Sequence, residues 1–137
     1  MTIRQAIFTL VFFSLLAIVH GQQDRIIDSL TKTWSYQIFP DTQKVKVIDY
    51  YPVTTRCGRA LNYSMAICFI TTGQTIRIIE QCPDAKAFKH GDVITFIPSA
   101  TIPADKNLYL PYIDGDINPF ILKYSQVRIT TYGLLSK

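Results

Sequence analysis

Apolar and polar residues alternate with a period of two along most of the chain from Trp34 onward. This alternation is typical of β-strands with one buried face, because successive side chains point to opposite sides of a sheet. Trp34, Tyr36 and Ile38 share one parity and predict a first strand, which ends before a turn at Pro40 and Asp41.

The segment KVKVIDYY, residues 44–51, predicts a bent strand. Its apolar parity passes from Val45 and Val47 to Ile48 and Tyr50. A bulge shifts the parity in this way because it inserts one extra residue, and strands that pass from one sheet to another in a barrel often contain one. We therefore expect a bulge or bend near the middle of this strand.

Two β-branched and aromatic runs follow, YSMAICFIT at residues 63–71 and TIRIIEQC at residues 75–82. Only Thr72, Gly73 and Gln74 separate them. Such spacing is typical of a tight turn between antiparallel strands. The pattern predicts a β-hairpin.

The last third of the chain contains two predicted strands with a long excursion between them. VITFIP, residues 93–98, is apolar almost throughout and predicts a strand buried on both faces, and residues 126–134 predict the final strand. The excursion, residues 99–125, is too long for a plain connection in a compact domain. Asp114 and Gly115 divide it into two apolar runs, LYLPYI and INPFILKY, which predict a hairpin flap.

These elements predict an all-β chain, or a β-rich one with one or two short helices, the first of them at residues 22–30. From residue 44 onward the order is strand, hairpin, short helical turn, strand, excursion and strand. This order, the bent first strand and the FKHGDVITF entry into the fourth strand resemble the OB-fold. The resemblance covers residues 44–134 and implies a five- to six-stranded antiparallel OB-like barrel. It also implies binding through the second and third strands and the loops at 53–62 and 99–125.

The beginning of the chain is typical of a secretory signal peptide. Arg4 precedes an unbroken apolar run at residues 6–19, which is too short to span a bilayer comfortably, and we expect cleavage after Gly21. An uncleaved N-terminal anchor is the alternative. Residues 22–137 have the length of one domain. We therefore expect a secreted, extracellular or periplasmic single-domain protein with no membrane span after signal cleavage.

The charge pattern names no partner. The chain has a formal net charge of +4, and its Lys and Arg residues are scattered singly. Single-stranded nucleic acid is usually bound by a strongly cationic groove with stacking aromatic residues. The modest charge and the predicted export disfavour nucleic acid and leave a protein or glycan surface as the expected partner.

Three cysteines remain after the predicted cleavage, Cys57, Cys68 and Cys82. In an oxidising compartment this count predicts one disulfide and one free thiol. Cys68 lies in a dense apolar run, where a free Cys behaves as a small hydrophobic residue, while Cys57 and Cys82 adjoin Gly58 and Pro83. We predict a Cys57–Cys82 disulfide and a free thiol at Cys68.

The sequence contains no recognisable catalytic or metal-binding motif. His90 is the only His after the predicted leader, and its place between Lys89 and Gly91 predicts an exposed turn residue rather than a general base. No CxxC pair suggests zinc. Asp114 and Asp116 begin like a calcium loop, but its turn-making Gly and bidentate Glu are missing. We expect no catalysis, no cofactor and no metal.

Aromatic and cationic residues around the two predicted loops form the candidate binding surface. Tyr and Arg are favoured at interfaces because they combine large contact area with polar tips. The candidate ligand-binding residues are Tyr50, Tyr51, Arg56, Arg59, Tyr63, Tyr109 and Tyr112. The alternative is that the rings cover the barrel ends and the arginines are solvated. Asn62 opens an Asn-Tyr-Ser sequon, which is a glycosylation acceptor in a eukaryotic source.

The sequence leaves several functional hypotheses. The first is an exported interaction module that binds an unidentified protein or glycan without catalysis. The second is a structural component of the envelope or extracellular matrix that self-associates through Cys68 or an exposed strand edge. A weaker third is a hydrolase whose site the sequence does not reveal, and a further weak alternative is an inhibitor similar to netrin-type modules, which include the tissue inhibitors of metalloproteases. Those inhibitors use a Cys at the mature N-terminus, whereas this chain is expected to begin with Gln22 and Gln23.

Overall fold

The computed structural model describes residues 2–11, 25, 29–52, 63–81, 87–103 and 119–137. The strands in these parts are β1 (Ser35–Tyr36), β2 (Gln43–Tyr51), β3 (Tyr63–Phe69), β4 (Thr75–Gln81), β5 (Val93–Pro98) and β6 (Ile129–Ser136). A short helix spans Pro119–Lys123, and residues 3–11 and 29–32 are also helical. The predicted β-rich class is confirmed. In the described parts, no helix is long and apolar enough to cross a membrane.

Five of the strands close into a barrel. β2 pairs with β3 and β5, β3 with β4, and β5 with β6, all antiparallel, while β4 and β6 pair in parallel. The ring β2-β3-β4-β6-β5 is therefore a closed mixed barrel, and β1 lies parallel to the beginning of β6. This arrangement is compatible with an OB-like fold. It differs from the antiparallel barrel expected above because β4 and β6, which are not consecutive in sequence, run in the same direction.

The predicted bulge in β2 is confirmed. The register against β3 shifts between Val47 and Asp49, which leaves Ile48 as the extra residue. The turn before β5 docks on this irregularity: the Val47 amide donates to the Asp92 carbonyl at 2.8 Å, and the Gly91 amide donates to the Val47 carbonyl at 2.8 Å. The bulge therefore joins β2 to the turn that starts β5.

The predicted hairpin of β3 and β4 is also confirmed. The strands pair from Tyr63 with Gln81 to Phe69 with Thr75. Gly73 has a φ of 85°, in the left-handed region that favours glycine because it lacks a Cβ. The sequence signal for this turn was local, and so was its structural cause.

The burial of β5 differs from the expectation. Its bounds, Val93–Pro98, match the prediction, and Ile94 and Phe96 are buried. Val93 and Ile97, however, are 65% and 42% exposed, so the expectation that both faces are buried is wrong. An apolar run does not itself distinguish a strand covered on two sides from one covered on one side.

The region before β6 also differs from the expectation. Residues 119–123, which belong to the second arm of the predicted hairpin flap, form a helix, and β6 starts at Ile129 rather than residue 126. Phe120 and Ile121 of this helix are buried. The first arm of the predicted flap lies within residues 104–118, which are outside the described residues.

Two hydrophobic clusters sit on opposite sides of the barrel wall. The cluster inside the barrel consists of Val45, Val47, Ala66, Cys68, Ile70, Ile76, Ile78, Phe88, Ile94, Phe96 and Leu135. The cluster outside it consists of Trp34, Met65, Ile67, Ile79, Phe120, Ile121 and Tyr132. Alternate residues of β3 and β4 supply both clusters, because successive strand side chains point to opposite faces. The outer face of β3 and β4 is therefore covered by Trp34 and the 119–123 helix.

Gly133 permits the closure of the barrel between β5 and β6. It pairs with Pro98, and a Cβ at this position would collide with the Ile97 carbonyl oxygen and the Phe96 ring. Glycine within a strand often marks such a close approach of another backbone. The absent side chain allows β6 to lie against β5.

Candidate functional site

The two described tyrosines of the predicted binding surface point to opposite sides of β2. Tyr50 packs on Phe88 of the inner cluster, with ring centroids 5.0 Å apart. Tyr51 packs on Phe120 of the outer cluster, with centroids 5.7 Å apart. Both tyrosines are partly buried. The structure thus places these neighbours in different environments rather than on one common surface.

The other predicted site residues fall largely outside the described residues. This applies to Arg56, Arg59, Tyr109 and Tyr112, to Cys57 and Cys82 of the predicted disulfide, and to the sequon residue Asn62. Tyr63 begins β3, but its side chain is outside the described part. These assignments stay predictions.

Cys68 is a buried free thiol. It lies in the inner cluster, and burial raises its pKa to about 12. A thiol with such a raised pKa is protonated at neutral pH, and only the thiolate is an effective nucleophile. Cys68 therefore behaves as a core residue.

His90 is exposed in the turn before β5. Its Nδ1 lies 2.7 Å from the Ile48 carbonyl oxygen, which can only accept, so Nδ1 carries the proton and donates. Because Ile48 is the bulged residue of β2, this bond fastens the turn to the bulge. His90 thus has a structural contact that its sequence position did not reveal.

Arg77 on β4 is completely buried beneath the covering of the outer face. Its guanidinium donates to the Tyr124 carbonyl at 2.8 Å, the Val127 carbonyl at 3.0 Å and the Thr130 hydroxyl at 3.0 Å. The guanidinium carbon lies 3.9 Å from the centroid of the Trp34 ring. Burial lowers the pKa of Arg77 to about 10. These contacts hold residues 124–130 against the barrel.

Asp49 fastens the 119–123 helix to β2. Its Oδ2 accepts hydrogen bonds from the Tyr124 hydroxyl at 2.5 Å and the Lys123 ammonium at 3.1 Å, and its Oδ1 accepts one from the Tyr50 amide at 2.9 Å. Burial alone would raise the pKa of Asp49, but these hydrogen bonds outweigh it and lower the pKa. Together with Arg77, this cluster keeps the outer face of β3 and β4 covered.

Two buried polar residues, Glu80 and Ser64, lie near Tyr50. Glu80 and Ser64 are completely buried, and Glu80 Oε2 accepts a hydrogen bond from the Leu135 amide at 2.8 Å. Burial raises the pKa of Tyr50, and the charge of Glu80 raises it further. The Leu135 bond ties β4 to β6, which indicates a structural role.

The outer surface around β5 is open to solvent. We define the β5 face as the outward side chains of Lys44, Lys46, Val93, Thr95, Ile97 and Leu134. Val93 pairs across the strands with Lys46, and Ile97 pairs with Leu134. Leu134 is 53% exposed, so with Val93 and Ile97 it forms an exposed apolar set. On the described elements, this face contrasts with the covered face of β3 and β4.

A concave groove adjoins the β5 face. It has a volume of about 310 Å³ and is lined by Ile79, Ile97, Pro98, Ser99, Thr101, Pro103, Tyr132, Gly133 and Leu134. Pro103 is the last described residue before the range 104–118, which contains Tyr109 and Tyr112. The groove and the β5 face are the candidate functional site.

Comparisons with protein-family models, curated proteins and solved structures give no match to this chain. The site therefore has to be interpreted from its own residues. The exposed side of β5 differs from the prediction, because VITFIP was interpreted as buried on both faces. The signal that could have found it is Lys44 and Lys46, whose outward parity in β2 predicts a solvent-exposed surface next to that strand.

Proposed function

We propose that this chain is an exported binding module of OB-like fold that recognises a protein or glycan partner through the β5 face and its groove, without catalysing a reaction. The observation that supports this proposal most is the exposure of Val93, Ile97 and Leu134 on one outer surface of the barrel. Neighbouring exposed apolar residues on a folded domain often mark an interaction site.

The outer face of β3 and β4 is covered, which supports the β5 face as the binding surface. OB-folds commonly bind ligands on their second and third strands, which correspond here to β3 and β4. In this chain Trp34, Phe120 and Ile121 pack on that surface. A ligand would have to displace part of the hydrophobic core to reach it, whereas the β5 face needs no such rearrangement.

Export is part of the proposal. Residues 2–11 are exposed, including the large apolar side chains of Ile3, Ile7, Phe8, Leu10 and Val11. A signal peptide is removed and need not pack on the mature domain. Intact-mass measurement of the exported protein tests this step: a mass corresponding to a start at Gln22 supports it, and a mass that includes residues 1–21 contradicts it.

Two observations favour a binding module over a self-associating structural component. Cys68 is completely buried, so its thiol cannot reach another chain without opening the barrel. Closure of the barrel also pairs both edges of each of its five strands, which removes the long free edges used in strand-to-strand association. The proposal therefore keeps the interaction-module hypothesis.

The test compares matched exposed leucines. Leu134 on the β5 face and Leu122 on the 119–123 helix are 53% and 47% exposed. Purified wild-type protein, Leu134→Ser and Leu122→Ser are immobilised and exposed to the extracellular fraction of the source. A partner that uses the β5 face should bind Leu134→Ser at least about tenfold more weakly and Leu122→Ser normally. Equal capture by all three, or equal loss in both variants, would refute the proposal.

A further inference from the structure

We infer that the partner presents an extended acidic segment in which carboxylates alternate with apolar side chains; this inference rests on the proposed function of the β5 face. It specifies the chemistry of the partner.

The charge of the β5 face is the first step. Two of the six residues that define this face are Lys44 and Lys46, and none of the six is acidic. Lys46 is paired across the strands with Phe69 on one side and Val93 on the other, and Phe69 is 44% exposed. Lys46 thus pairs with an apolar residue on each side, and Lys44 pairs with Thr95. A partner with carboxylates complements this charge, whereas a basic partner would be repelled.

The spacing of the face is the second step. Lys44 and Lys46 are two residues apart on β2 and so lie roughly 7 Å apart, which is also the repeat of same-side residues in any extended chain. Lys44 Nζ donates to the Thr95 hydroxyl at 2.7 Å, which holds this cation along the surface. An extended segment that lies over β5 can direct its carboxylates, at every second residue, sideways toward these two ammonium groups on β2, and the intervening side chains toward Leu134 on β6.

The groove is the third step, and it favours a peptide over a lipid surface. Its volume of about 310 Å³ is at the lower end of ligand pockets, which range from about 300 to 1,000 Å³. Ile97 and Leu134 form its apolar rim, and Ile97 is two residues along β5 from Thr95, which pairs with Lys44. A concave site of this size accepts a single apolar side chain of a peptide. A bilayer presents no such protrusion to fill it.

The experiment uses labelled peptides of about nine residues, roughly 30 Å long when extended. One alternates Glu with Leu, a second alternates Lys with Leu, and a third alternates Glu with Ser. Fluorescence anisotropy at low ionic strength measures binding to the wild-type protein, to Lys44→Glu/Lys46→Glu, and to the control Arg128→Glu, which reverses an exposed cation away from the face. Wild type should bind the Glu-Leu peptide at least about tenfold more tightly than the other two peptides.

Charge reversal gives the sharpest outcome. Lys44→Glu/Lys46→Glu should bind the Glu-Leu peptide at least about tenfold more weakly than wild type and the Lys-Leu peptide more tightly. Arg128→Glu should bind both peptides with the affinities of wild type. Circular dichroism confirms that each variant is folded. Equal binding of all peptides, or an unchanged Glu-Leu affinity in the reversed variant, overturns the inference. Lysine-dependent binding to phosphatidylglycerol–phosphatidylcholine vesicles without peptide binding also overturns it and identifies a lipid surface instead.

The failure of this inference is distinguishable from failure of the proposed function. If no peptide binds but Leu134→Ser still weakens capture of the natural partner, the acidic-segment inference is wrong and the binding face stands. If Leu134→Ser leaves capture unchanged as well, both are wrong.

Discussion

Replacing Gly133 with alanine should destabilise the barrel strongly, because the new methyl group has no space. An ideal Cβ at this position would lie 3.1 Å from the carbonyl carbon of Ile97 and inside van der Waals contact of both its oxygen and the Phe96 ring. The Phe96 ring can rotate, but the Ile97 carbonyl belongs to β5. Gly133 pairs with Pro98 in the same ladder, so β5 and β6 must separate locally.

The expected loss follows from three contributions. Overpacking costs about 1–3 kcal/mol, and the upper end applies because the obstacle is backbone. One weakened ladder hydrogen bond adds about 1 kcal/mol. Restricting the unfolded chain by Gly→Ala returns about 0.4–1 kcal/mol. We therefore expect Gly133→Ala to lower the free energy of unfolding by about 3 kcal/mol, which corresponds to a fall in Tm of about 12 °C in a domain of this size.

Urea unfolding followed by intrinsic fluorescence measures this loss, and Gly73→Ala is the matched control. Gly73 has a positive φ but no atom within 4 Å of its ideal Cβ, so only backbone strain of about 1 kcal/mol is expected there. In the Phe96→Leu background, which lacks one of the two obstacles, Gly133→Ala should still cost more than half of what it costs in the wild-type protein. A Gly133→Ala variant no less stable than Gly73→Ala would show that the close approach of β5 and β6 does not limit this position.

Three other predictions concern the covered face and the core. Arg77→Met should lower the free energy of unfolding by about 3 kcal/mol in urea titrations, because it removes the three hydrogen bonds that the buried guanidinium donates, and Arg77→Lys should not restore it; a loss below about 1 kcal/mol would contradict this. The pKa of Asp49 is lowered on folding. Its contribution to the free energy of unfolding is therefore present above the ordinary pKa of 3.8 and is lost as the pH falls through the pKa in the folded protein. Asp49→Asn should therefore cost about 0.5–1 kcal/mol at neutral pH, a value reduced for solvent screening, and progressively less in acid-unfolding curves; an equal cost at every pH would refute the assignment. Burial raises the pKa of Cys68 from 9.0 to about 12. The contribution of the protonated thiol to the free energy of unfolding is therefore complete below pH 9 and is lost as the pH rises toward 12. Iodoacetamide followed by peptide mapping should label Cys68 only after unfolding, and rapid labelling of the folded protein would show that the thiol is accessible.

Several elements were predictable because their causes are local. The parity shift in KVKVIDYY predicts a bulge or bend near the middle of this strand, and the register of β2 against β3 confirms a bulge, with Ile48 as the extra residue. The spacing around Gly73 predicts the hairpin of β3 and β4. In each case the period of two and the turn residues act over fewer than about ten residues. Such patterns depend little on what packs against them.

The covering of the outer face was not predictable in the same way. The run INPFILKY was interpreted as an extended arm, yet residues 119–123 are helical and bury Phe120 and Ile121. Arg77 shows the same difficulty, because a cation in TIRIIEQC is expected at the surface, whereas here it is completely buried. Its burial depends on acceptors at Tyr124 and Val127, about 50 residues away in sequence. No local pattern reports such partners.

The amino-acid sequence by itself determined the period-two strands, the bulge, the hairpin and therefore the β-rich class of this protein. Only the tertiary structure decided which surface of the barrel is covered, because that depends on Trp34 and the 119–123 helix packing across β3 and β4. It also decided that Val93, Ile97 and Leu134 face solvent. The physical reason is that alternation specifies two sides of each strand, while the choice of what lies against each side is made by residues distant in the chain.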